Sequence, residues 1–300
     1  MDTILVTGGL GHIGSELIRN LSKSYKVIVV DNLLTQRYCS LFDLINPISF
    51  LDKCISEITS QDLQKVDVVI HLAAITNAAG SFNNKEQTEN INLDLTSKFI
   101  EQCDKAGCKF IFPSSTSVYG TAAKIVYEDD PSFLNPQSPY AETKIGIENK
   151  LKSYKSGYMV LRFGTIFGSS VGMRFHTAIN KFCYQVSLGQ SLTIWKENFN
   201  QYRPYLGLTD AISSILFLLK SGVWGETYNV LTQNYKLSEI LDIIKQITPI
   251  QKINWVDTPL LNQYSYKVSN KKIKSLGWLE KDKIENSIKN TLRKLQNLNL

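Results

Sequence analysis

The sequence contains no apolar run long enough to cross a membrane. Its longest apolar runs, residues 27–30 and 215–219, span four and five residues, whereas a membrane-spanning helix needs about 20. Residues 1–6 have no basic segment ahead of an apolar one, so they do not predict a signal peptide. We therefore expect no association with a membrane.

Cysteine is scarce and does not fall into pairs. The chain has five cysteines, an odd number, and none forms the paired spacing of a metal site. They are Cys39, Cys54, Cys103, Cys108 and Cys183. We expect reduced thiols, no bound metal and a cytoplasmic location.

The chain also lacks the dense basic tracts that bind nucleic acid. Its net charge of +6 is modest, and lysine and arginine are not interleaved with aromatic residues in one segment. The basic segment 281–294 places Ile284, Ile288 and Leu292 at helical spacing, which is typical of a surface helix with one buried face. We expect no nucleic-acid partner, and the charge suits a small anionic ligand.

Near its N-terminus the sequence has a glycine-rich loop between a strand and a helix. Residues 3–7 and 26–31 predict strands, and residues 13–21 show the apolar period of a helix. The loop needs glycine because its backbone must turn tightly, approach a diphosphate and let the helix pack near the strand. The N–H groups at the helix N-terminus then bind the phosphates. The predicted dinucleotide contacts are Gly8, Gly11, His12, Ile13 and Gly14.

Asp31 ends the second predicted strand, 17 residues after Gly14. A carboxylate there accepts hydrogen bonds from the adenosine ribose and repels a 2′-phosphate, so the sequence favours NAD over NADP. Arg37 lies six residues further on and weakens that preference.

Strands and helices alternate as far as Gly164, which predicts a Rossmann-like, doubly wound α/β fold with a parallel sheet. We assign residues 1–164 to a NAD-binding domain. Residues 165–300 have shorter strands and form mainly a smaller α/β substrate-binding region, from which some segments can return to the first domain. The cleft is expected at the C-terminal ends of the parallel strands. The predicted strands are 48–51, 66–72, 109–112, 158–163, 192–195, 227–230 and 252–255, and the predicted helices include 88–106, 177–188, 209–220 and 236–248.

Tyr140 and Lys144 stand four residues apart at the start of a predicted helix, so their side chains share one face. Alone, an exposed tyrosine beside a lysine would explain this spacing. A tyrosine base at neutral pH needs a pKa about three below its usual value of about 10, a difference of about 4 kcal/mol. An ammonium about 4 Å away contributes about 4 kcal/mol at an effective dielectric near 20, and a positive nicotinamide ring adds to it. Ser115, at the end of a strand, can hydrogen-bond the substrate oxygen and relay its proton.

Together these motifs resemble the extended short-chain dehydrogenase/reductase family, and within it the NAD-dependent nucleotide-sugar epimerases and dehydratases. The resemblance extends over almost the whole chain, and the motifs occur in the family's order. They are residues 7–14, 31–33, 71–74, 114–120, 139–144, 203–205, 210–211, 269–273 and 276–278. The resemblance implies a NAD cofactor, a nucleotide-sugar substrate and a homodimer formed through the helices after Thr88 and Tyr140.

The resemblance also implies roles for individual residues. Tyr140 matches the catalytic tyrosine, Lys144 the lysine that also holds the nicotinamide ribose, and Ser115 the catalytic serine or threonine. Further implied cofactor contacts are Asn32, Leu33, Leu72, Ala73, Ala74, Asn92 and Phe163. Implied substrate contacts are Thr116, Thr165, Arg174, Asn180 and Arg203. Arg203 matches an arginine that grips the nucleotide diphosphate, a role that suits its fork of donors.

The chain departs from the family pattern at several positions. Sugar 4,6-dehydratases carry Asp-Glu directly after the catalytic threonine, whereas this chain has Thr116 and Ser117, which cannot act as an acid/base pair. Cys54 replaces an aspartate that contacts adenine in many relatives, and Thr165 replaces an asparagine of galactose-type epimerases. Segment 173–180 differs from the usual nucleotide-binding loop. These departures disfavour dehydration and leave the sugar and the nucleotide open.

We therefore expect a NAD-dependent epimerase of a nucleotide-linked sugar, which acts at C4 through a keto sugar and regenerates NAD in each cycle. A net NAD(P)-dependent reductase or dehydrogenase of the same fold is an alternative that the sequence hardly separates, and a dehydratase is less favoured. A dinucleotide-sensing protein without turnover is an alternative of another class. The intact set Ser115, Tyr140 and Lys144 argues against it, because a sensor needs no tuned phenol.

Overall fold

The computed structural model describes residues 2–120, 125–257 and 265–295. Met1 and the end of the predicted C-terminal region, residues 296–300, lie outside the described residues. The strands are β1 (Thr3–Thr7), β2 (Lys26–Asp31), β3 (Ser49–Asp52), β4 (Val68–His71), β5 (Lys109–Ser115), β6 (Ile125–Val126), β7 (Tyr158–Phe163), β8 (Thr165–Phe167), β9 (Leu192–Trp195), β10 (Tyr202–Gly207), β11 (Glu226–Val230), β12 (Gln233–Lys236), β13 (Ile253–Val256) and β14 (Lys267–Val268). The helices are α1 (His12–Leu21), α2 (Ser60–Leu63), α3 (Lys85–Glu89), α4 (Thr96–Lys105), α5 (Pro139–Leu151), α6 (Ala178–Ser187), α7 (Leu208–Ser221), α8 (Leu237–Ile247), α9 (Lys271–Ser275) and α10 (Ile284–Leu295).

Seven of the described strands form a parallel central sheet in the order β11-β7-β5-β4-β1-β2-β3. The chain runs outward from β1 to β3 and then places β4 on the other side of β1. The loops after β1 and β4 therefore diverge at the carboxyl edge, where open α/β sheets form their ligand crevice. The predicted Rossmann-like α/β fold is confirmed.

Apolar side chains cover both faces of the central sheet, as parallel strands require. In β1, Ile4 and Val6 pack into the cluster that includes Ile215 of α7, whereas Leu5 packs into the cluster that includes Ile147 of α5. Each such fully buried side chain contributes about 1.5–3 kcal/mol through its removal from water. The alternation along β1 thus joins helices from both halves of the sequence to one sheet.

Part of the C-terminal region, residues 165–300, packs with the central sheet. Strand β11 pairs with β7 at the edge of the central sheet, and α7 packs on α1. The other described strands form three small sheets, β12-β10-β8, β13-β9 and β14-β6. Because β8 directly follows the carboxyl end of β7, the small sheets begin at the edge of the crevice.

The helix predicted over residues 88–106 is present, but a wider helical turn interrupts it. Residues Asn90–Leu95 form this turn between α3 and α4, and it carries Asn92. Such wide turns are frequent at functional sites. Nearby, His71 is buried in β4 and hydrogen-bonds Thr7 and Thr96, as expected for a strand residue packed inside the fold.

None of the helices in the described residues combines the length and the apolar character that a membrane-spanning helix needs. Helix α10 is amphipathic instead, because it buries Ile284, Ile288 and Leu292 against the C-terminal core, as its spacing predicted.

Candidate active site

A cavity of about 530 Å³ opens at the carboxyl edge of the central sheet. We call the side formed by the glycine-rich loop and residues 71–75 the dinucleotide wall, and the side formed by residues 163–166 and 174–177 the C-terminal wall. The predicted site residues that line the cavity are Gly8, Gly11, His12, Ile13, Gly14, Asp31, Asn32, Leu72, Ala73, Ala74, Ser115, Tyr140, Lys144, Phe163, Thr165 and Arg174. The predicted dinucleotide and catalytic residues therefore share one space.

The glycine-rich loop forms a backbone cradle at the start of α1. Gly11 precedes α1 and, being glycine, has no side chain to cap the helix. The N–H groups of the first turn therefore remain available for a ligand. A Cβ atom on Gly14 would lie 2.5 Å from the carbonyl oxygen of Gly8, so only glycine lets the helix start this close to the loop. Bare backbone at a helix N-terminus binds phosphate. These residues fit the diphosphate of a dinucleotide.

Asp31 lies in the cavity wall at the end of β2. Its carboxylate accepts hydrogen bonds from the N–H groups of Leu10 (3.1 Å) and Leu33 (3.0 Å), which fix its position. Leu33 packs against the apolar cluster under the sheet and does not line the cavity. The N–H of Leu33 helps to orient Asp31, and the cofactor contact of Leu33 stays a prediction.

Asn92 supports the dinucleotide wall from behind. Its buried side chain accepts a hydrogen bond from the N–H of Ile75 (2.8 Å) and donates one to the carbonyl oxygen of Ile75 (2.8 Å). Ile75 follows Ala73 and Ala74, the small residues that line the cavity after β4. Asn92 therefore fixes the loop that lines the cavity, and its own contact with the cofactor stays a prediction.

A segment from the C-terminal region, residues 168–172, lies directly on the glycine-rich loop, and we call it the strap. Burial lowers the pKa of His12 to about 4, so its imidazole is neutral, and its Nε2 lies 2.9 Å from the carbonyl oxygen of Gly168. A Cβ atom on Gly172 would lie 2.4 Å from the carbonyl oxygen of Leu10. The strap and the loop are thus in backbone contact across the two halves of the sequence.

The predicted catalytic helix begins at the cavity. Ser138 caps α5, because its hydroxyl accepts a hydrogen bond from the N–H of Ala141 (3.2 Å), and Pro139 occupies the first helical position. Tyr140 follows in the first turn and Lys144 one turn later, and both side chains are buried. The helix start therefore sets where the phenol and the ammonium lie.

Ser115 meets Tyr140 where β5 ends. The Ser115 hydroxyl lies beside the phenol of Tyr140 and acts to lower its pKa, and it accepts hydrogen bonds from the hydroxyl (2.9 Å) and the N–H (3.2 Å) of Ser117. The Nζ of Lys144 donates to the carbonyl oxygen of Pro113 (2.8 Å), two residues before Ser115. The three predicted catalytic residues are therefore brought together.

Burial dominates the ionisation of Tyr140. It raises the pKa of Tyr140 to about 12, and the hydrogen bond with Ser115 and the positive charge of Arg174 act against it. Burial also lowers the pKa of Lys144 to about 8, and Lys144 donates to Pro113 rather than to the phenol. Burial therefore outweighs the groups that lower the Tyr140 pKa in this structure, and the lowering by Lys144 together with a nicotinamide ring stays a prediction.

Thr165 and Arg174 belong to the C-terminal wall, where the sequence predicted substrate contacts. The Nη2 of Arg174 donates to the hydroxyl of Thr76, whereas its Nε is buried and has no hydrogen-bond partner among the described residues. Buried donors are almost always paired in native proteins. The Nε of Arg174 therefore fits an oxygen acceptor on a bound ligand.

Thr116 and Asn180 hold backbone and do not line the cavity. Thr116 is buried, and its hydroxyl donates to the carbonyl oxygen of Phe163 (3.3 Å). Asn180 accepts a hydrogen bond from the N–H of Gly168 (3.1 Å) and donates one to its carbonyl oxygen (3.2 Å), so it anchors the strap to α6. Their contacts with substrate stay predictions.

Arg203 lies in β10, away from the other predicted site residues. Its guanidinium carbon lies 5.2 Å from the centre of the Tyr266 ring, and its Nη1 donates to the carbonyl oxygen of Tyr202 (3.2 Å). It does not line the cavity that the described residues form. Its contact with a nucleotide diphosphate stays a prediction.

The cavity also includes residues that the sequence had not singled out as contacts. Among them are Lys53 beside Cys54, the stretch 76–79, and His176. The stretch 76–79 could have been found from its position after Ala73 and Ala74 at a strand end. His176 lies in the segment that differs from the family pattern, so no motif pointed to it.

The comparisons with known proteins agree with this geometry. The model of the NAD dependent epimerase/dehydratase family matches residues 4–230. A trifunctional UDP-glucose 4,6-dehydratase/UDP-4-keto-6-deoxy-D-glucose 3,5-epimerase/UDP-4-keto-L-rhamnose-reductase of Arabidopsis thaliana is 30% identical over 96% of the chain, which spans only 46% of that relative's length. A candidate UDP-glucose 4-epimerase of Methanocaldococcus jannaschii is 30% identical over 99% of both chains.

Solved structures are similar over the whole chain. One of them is the UDP-glucuronic acid 4-epimerase of Bacillus cereus in complex with UDP-glucuronic acid and NAD, which has a TM-score of 0.88 and 25% sequence identity. The similarity covers 99% of this chain and 100% of the Bacillus cereus chain. The sequence match, the sheet order and the cradle at the start of α1 therefore point to the same conclusion. The chain belongs to the NAD-dependent epimerase/dehydratase family, an extended short-chain dehydrogenase/reductase type of enzyme whose cofactor is NAD.

Proposed function

We propose that the protein is an epimerase that inverts C4 of a nucleotide-linked sugar by transient oxidation to a keto sugar. The observation that carries this proposal is the set of groups around Ser115. Ser117 hydrogen-bonds its hydroxyl, the Tyr140 phenol lies beside it, and the position after Ser115 holds Thr116, which is buried against the Phe163 carbonyl oxygen. This set can move the proton of one hydroxyl, but it has no carboxylic acid pair to expel water.

In this proposal, different residues of the cavity have different roles in the oxidation. NAD bound in the cavity supplies a reversible acceptor for the hydride of C4. The phenol oxygen of Tyr140, once ionised, takes the proton of the C4 hydroxyl, and Ser115 hydrogen-bonds the same oxygen and can relay that proton. Lys144 and Arg174 supply the positive charge that stabilises the phenolate. The reverse transfers at the opposite face of the keto sugar give the epimer.

Two observations support a nucleotide-sugar substrate. The cavity extends from the glycine-rich loop to the C-terminal wall, where Arg174 presents its unpaired Nε. The Bacillus cereus structure, at 25% identity, binds UDP-glucuronic acid beside NAD. We include Arg203 as the residue that binds the nucleotide diphosphate, and a homodimer formed through α4 and α5, in the same proposal.

A dehydratase is the second candidate, because the Arabidopsis thaliana relative includes a 4,6-dehydratase activity in its name. The two functions give different products from one substrate. The purified protein is incubated with UDP-glucose, UDP-N-acetylglucosamine or UDP-glucuronic acid without added cofactor, and the products are identified by NMR. We expect a C4 epimer from at least one substrate. A 4-keto-6-deoxy sugar would establish the dehydratase instead, and accumulation of NADH equal to the enzyme would establish a net dehydrogenase.

A further inference from the structure

Helix α5 carries a buried carboxylate, Glu148, one turn after Lys144. Its Oε1 accepts a hydrogen bond from the hydroxyl of Ser114 (2.5 Å), and its Oε2 accepts one from Nη2 of Arg162 in β7 (2.6 Å). Nε of Arg162 lies 3.1 Å from Oε1 as well, so the pair is bidentate. Glu148 and Arg162 are only 6% and 5% exposed in their side chains. A pair this buried is costly in solvation and must be fully hydrogen-bonded, as it is here.

The Glu148–Arg162 pair holds the segment that contains Ser115 at both of its ends. Ser114 precedes Ser115 and donates to Glu148. Tyr119 ends the turn after Ser115, and its phenol oxygen accepts a hydrogen bond from Nη1 of Arg162 (2.8 Å). The position of the Ser115 hydroxyl therefore depends on an ion pair that does not line the cavity.

Glu148 of this pair is also the negatively charged group near Lys144. The groups that face Lys144 are Tyr140 and Glu148 on its own helix, Phe112 and Pro113 on β5, and His71 on β4. Among them Glu148 is the carboxylate, and its charge raises the pKa of Lys144 against the larger lowering by burial. Arg162 neutralises part of this charge through direct contact.

We propose that Glu148 is a positioning residue for the reaction, which fixes Ser115 through Ser114 and Arg162 and lies one helical turn from Lys144. This inference rests on the proposed function only for the identity of the reaction. Oxidation of the substrate hydroxyl is the step that an epimerase and a dehydrogenase share. The test therefore follows that step.

The experiment compares Glu148→Gln, Ser114→Ala and the matched control Glu142→Gln, which changes an exposed carboxylate on the same helix. Formation of reduced cofactor is followed in single turnovers across a pH series, and NAD content and thermal unfolding are measured in parallel. For Glu148→Gln we expect a rate about ten- to a hundredfold lower, because misplacement of reacting groups by about 1 Å has effects of this size.

The pH profile separates the two roles of Glu148. Lys144 loses its charge as the pH rises through its pKa, and this loss gives the basic limb of the profile. Glu148→Gln removes a nearby negative charge and therefore lowers the Lys144 pKa. The basic limb should then move to lower pH. Ser114→Ala keeps every charge but breaks the link to Ser115. We expect it to lower the rate while the basic limb stays in place and the substrate KM changes little.

The proposal is overturned if folded Glu148→Gln keeps the wild-type rate and the wild-type basic limb. If Glu148→Gln does not fold, because Arg162 is left unpaired, Ser114→Ala decides the positioning role, and a wild-type rate in that variant overturns it. Release of reduced cofactor by the wild-type enzyme would contradict epimerisation. The effect of Glu148 on the oxidation step could still be measured in that case. The two failures are therefore distinguishable.

Discussion

The two walls of the cavity are built in different ways. The dinucleotide wall is mostly backbone, because the loop from Gly8 to Gly14 and the stretch after β4 present N–H groups and small side chains. The C-terminal wall presents large side chains, such as Arg174 with its unpaired Nε, from two short segments outside the βαβ unit of the glycine-rich loop. A backbone wall accepts one shared ligand, the dinucleotide, whereas a side-chain wall can differ from one family member to the next. The strap and Asn180 connect the two walls.

The largest expected effect comes from the side chain that lies between the walls. Tyr140→Phe removes the acid/base oxygen but keeps the ring and the helix start. We expect kcat to fall by about 10²- to 10⁴-fold while the NAD content of the purified protein stays at the wild-type level. Turnover assays and cofactor quantification check both parts, with the exposed Tyr38→Phe as the control. Parallel loss of NAD and activity would mean that Tyr140 belongs to the dinucleotide wall.

The next effect concerns the contact between the strap and the glycine-rich loop. Gly172→Ala places a Cβ atom 2.4 Å from the carbonyl oxygen of Leu10, so strap and loop must separate. We expect NAD to dissociate about tenfold faster or more, in line with about 1–3 kcal/mol for overpacking. The dissociation rate is measured after rapid dilution into an NAD-consuming enzyme. Ser169→Ala, a change within the strap, is the control, and equal rates in the two variants would show that strap contact does not retain NAD.

A smaller effect is expected from the support of the dinucleotide wall. Asn92→Ala removes both hydrogen bonds to Ile75 and leaves that backbone unpaired, so the free energy of unfolding should fall by about 1–3 kcal/mol. Affinity for NAD should fall with it, since Ala73 and Ala74 precede Ile75. Chemical denaturation and NAD titration measure the two quantities, with the exposed Asn90→Ala as the control. Unchanged NAD affinity would assign Asn92 to stability alone.

The smallest effect is expected where the dinucleotide wall departs from the family pattern. Cys54 lines the cavity next to Lys53, and an aspartate there can accept a hydrogen bond from the adenine amine. Cys54→Asp should raise NAD affinity about two- to tenfold, the range for one additional hydrogen bond. Calorimetric titration of NAD measures the change against Cys54→Ser. An unchanged or weaker affinity would place the adenine elsewhere.

Local sequence predicted the dinucleotide wall well, because its shape follows from short-range rules. One βαβ unit contains the glycine spacing, the flanking strands and Asp31 at the strand end. Each of these features depends on residues that are close in the sequence. The family resemblance then supplied Ser115, Tyr140 and Lys144, and the structure brings these three together.

The sequence predicted the C-terminal wall and the charges less well. Asn180 and Thr116 hydrogen-bond Gly168 and Phe163 through tertiary packing that no spacing reveals, and their expected contacts with substrate stay predictions. The pKa of Tyr140 was expected to fall because of Lys144, yet desolvation depends on how completely the fold covers the phenol. Burial is a property of the whole fold, and so no local motif could give it.

The most direct test of the central claim is the fate of the hydrogen on C4. A nucleotide sugar that the protein converts is prepared with deuterium at C4 and incubated in ordinary water, and both sugars are examined by NMR and mass spectrometry. Epimerisation by transient oxidation predicts that substrate and product both keep the deuterium at C4 and that no NADH accumulates. Loss of the label to solvent, or a product with deuterium moved to C6, would contradict the account.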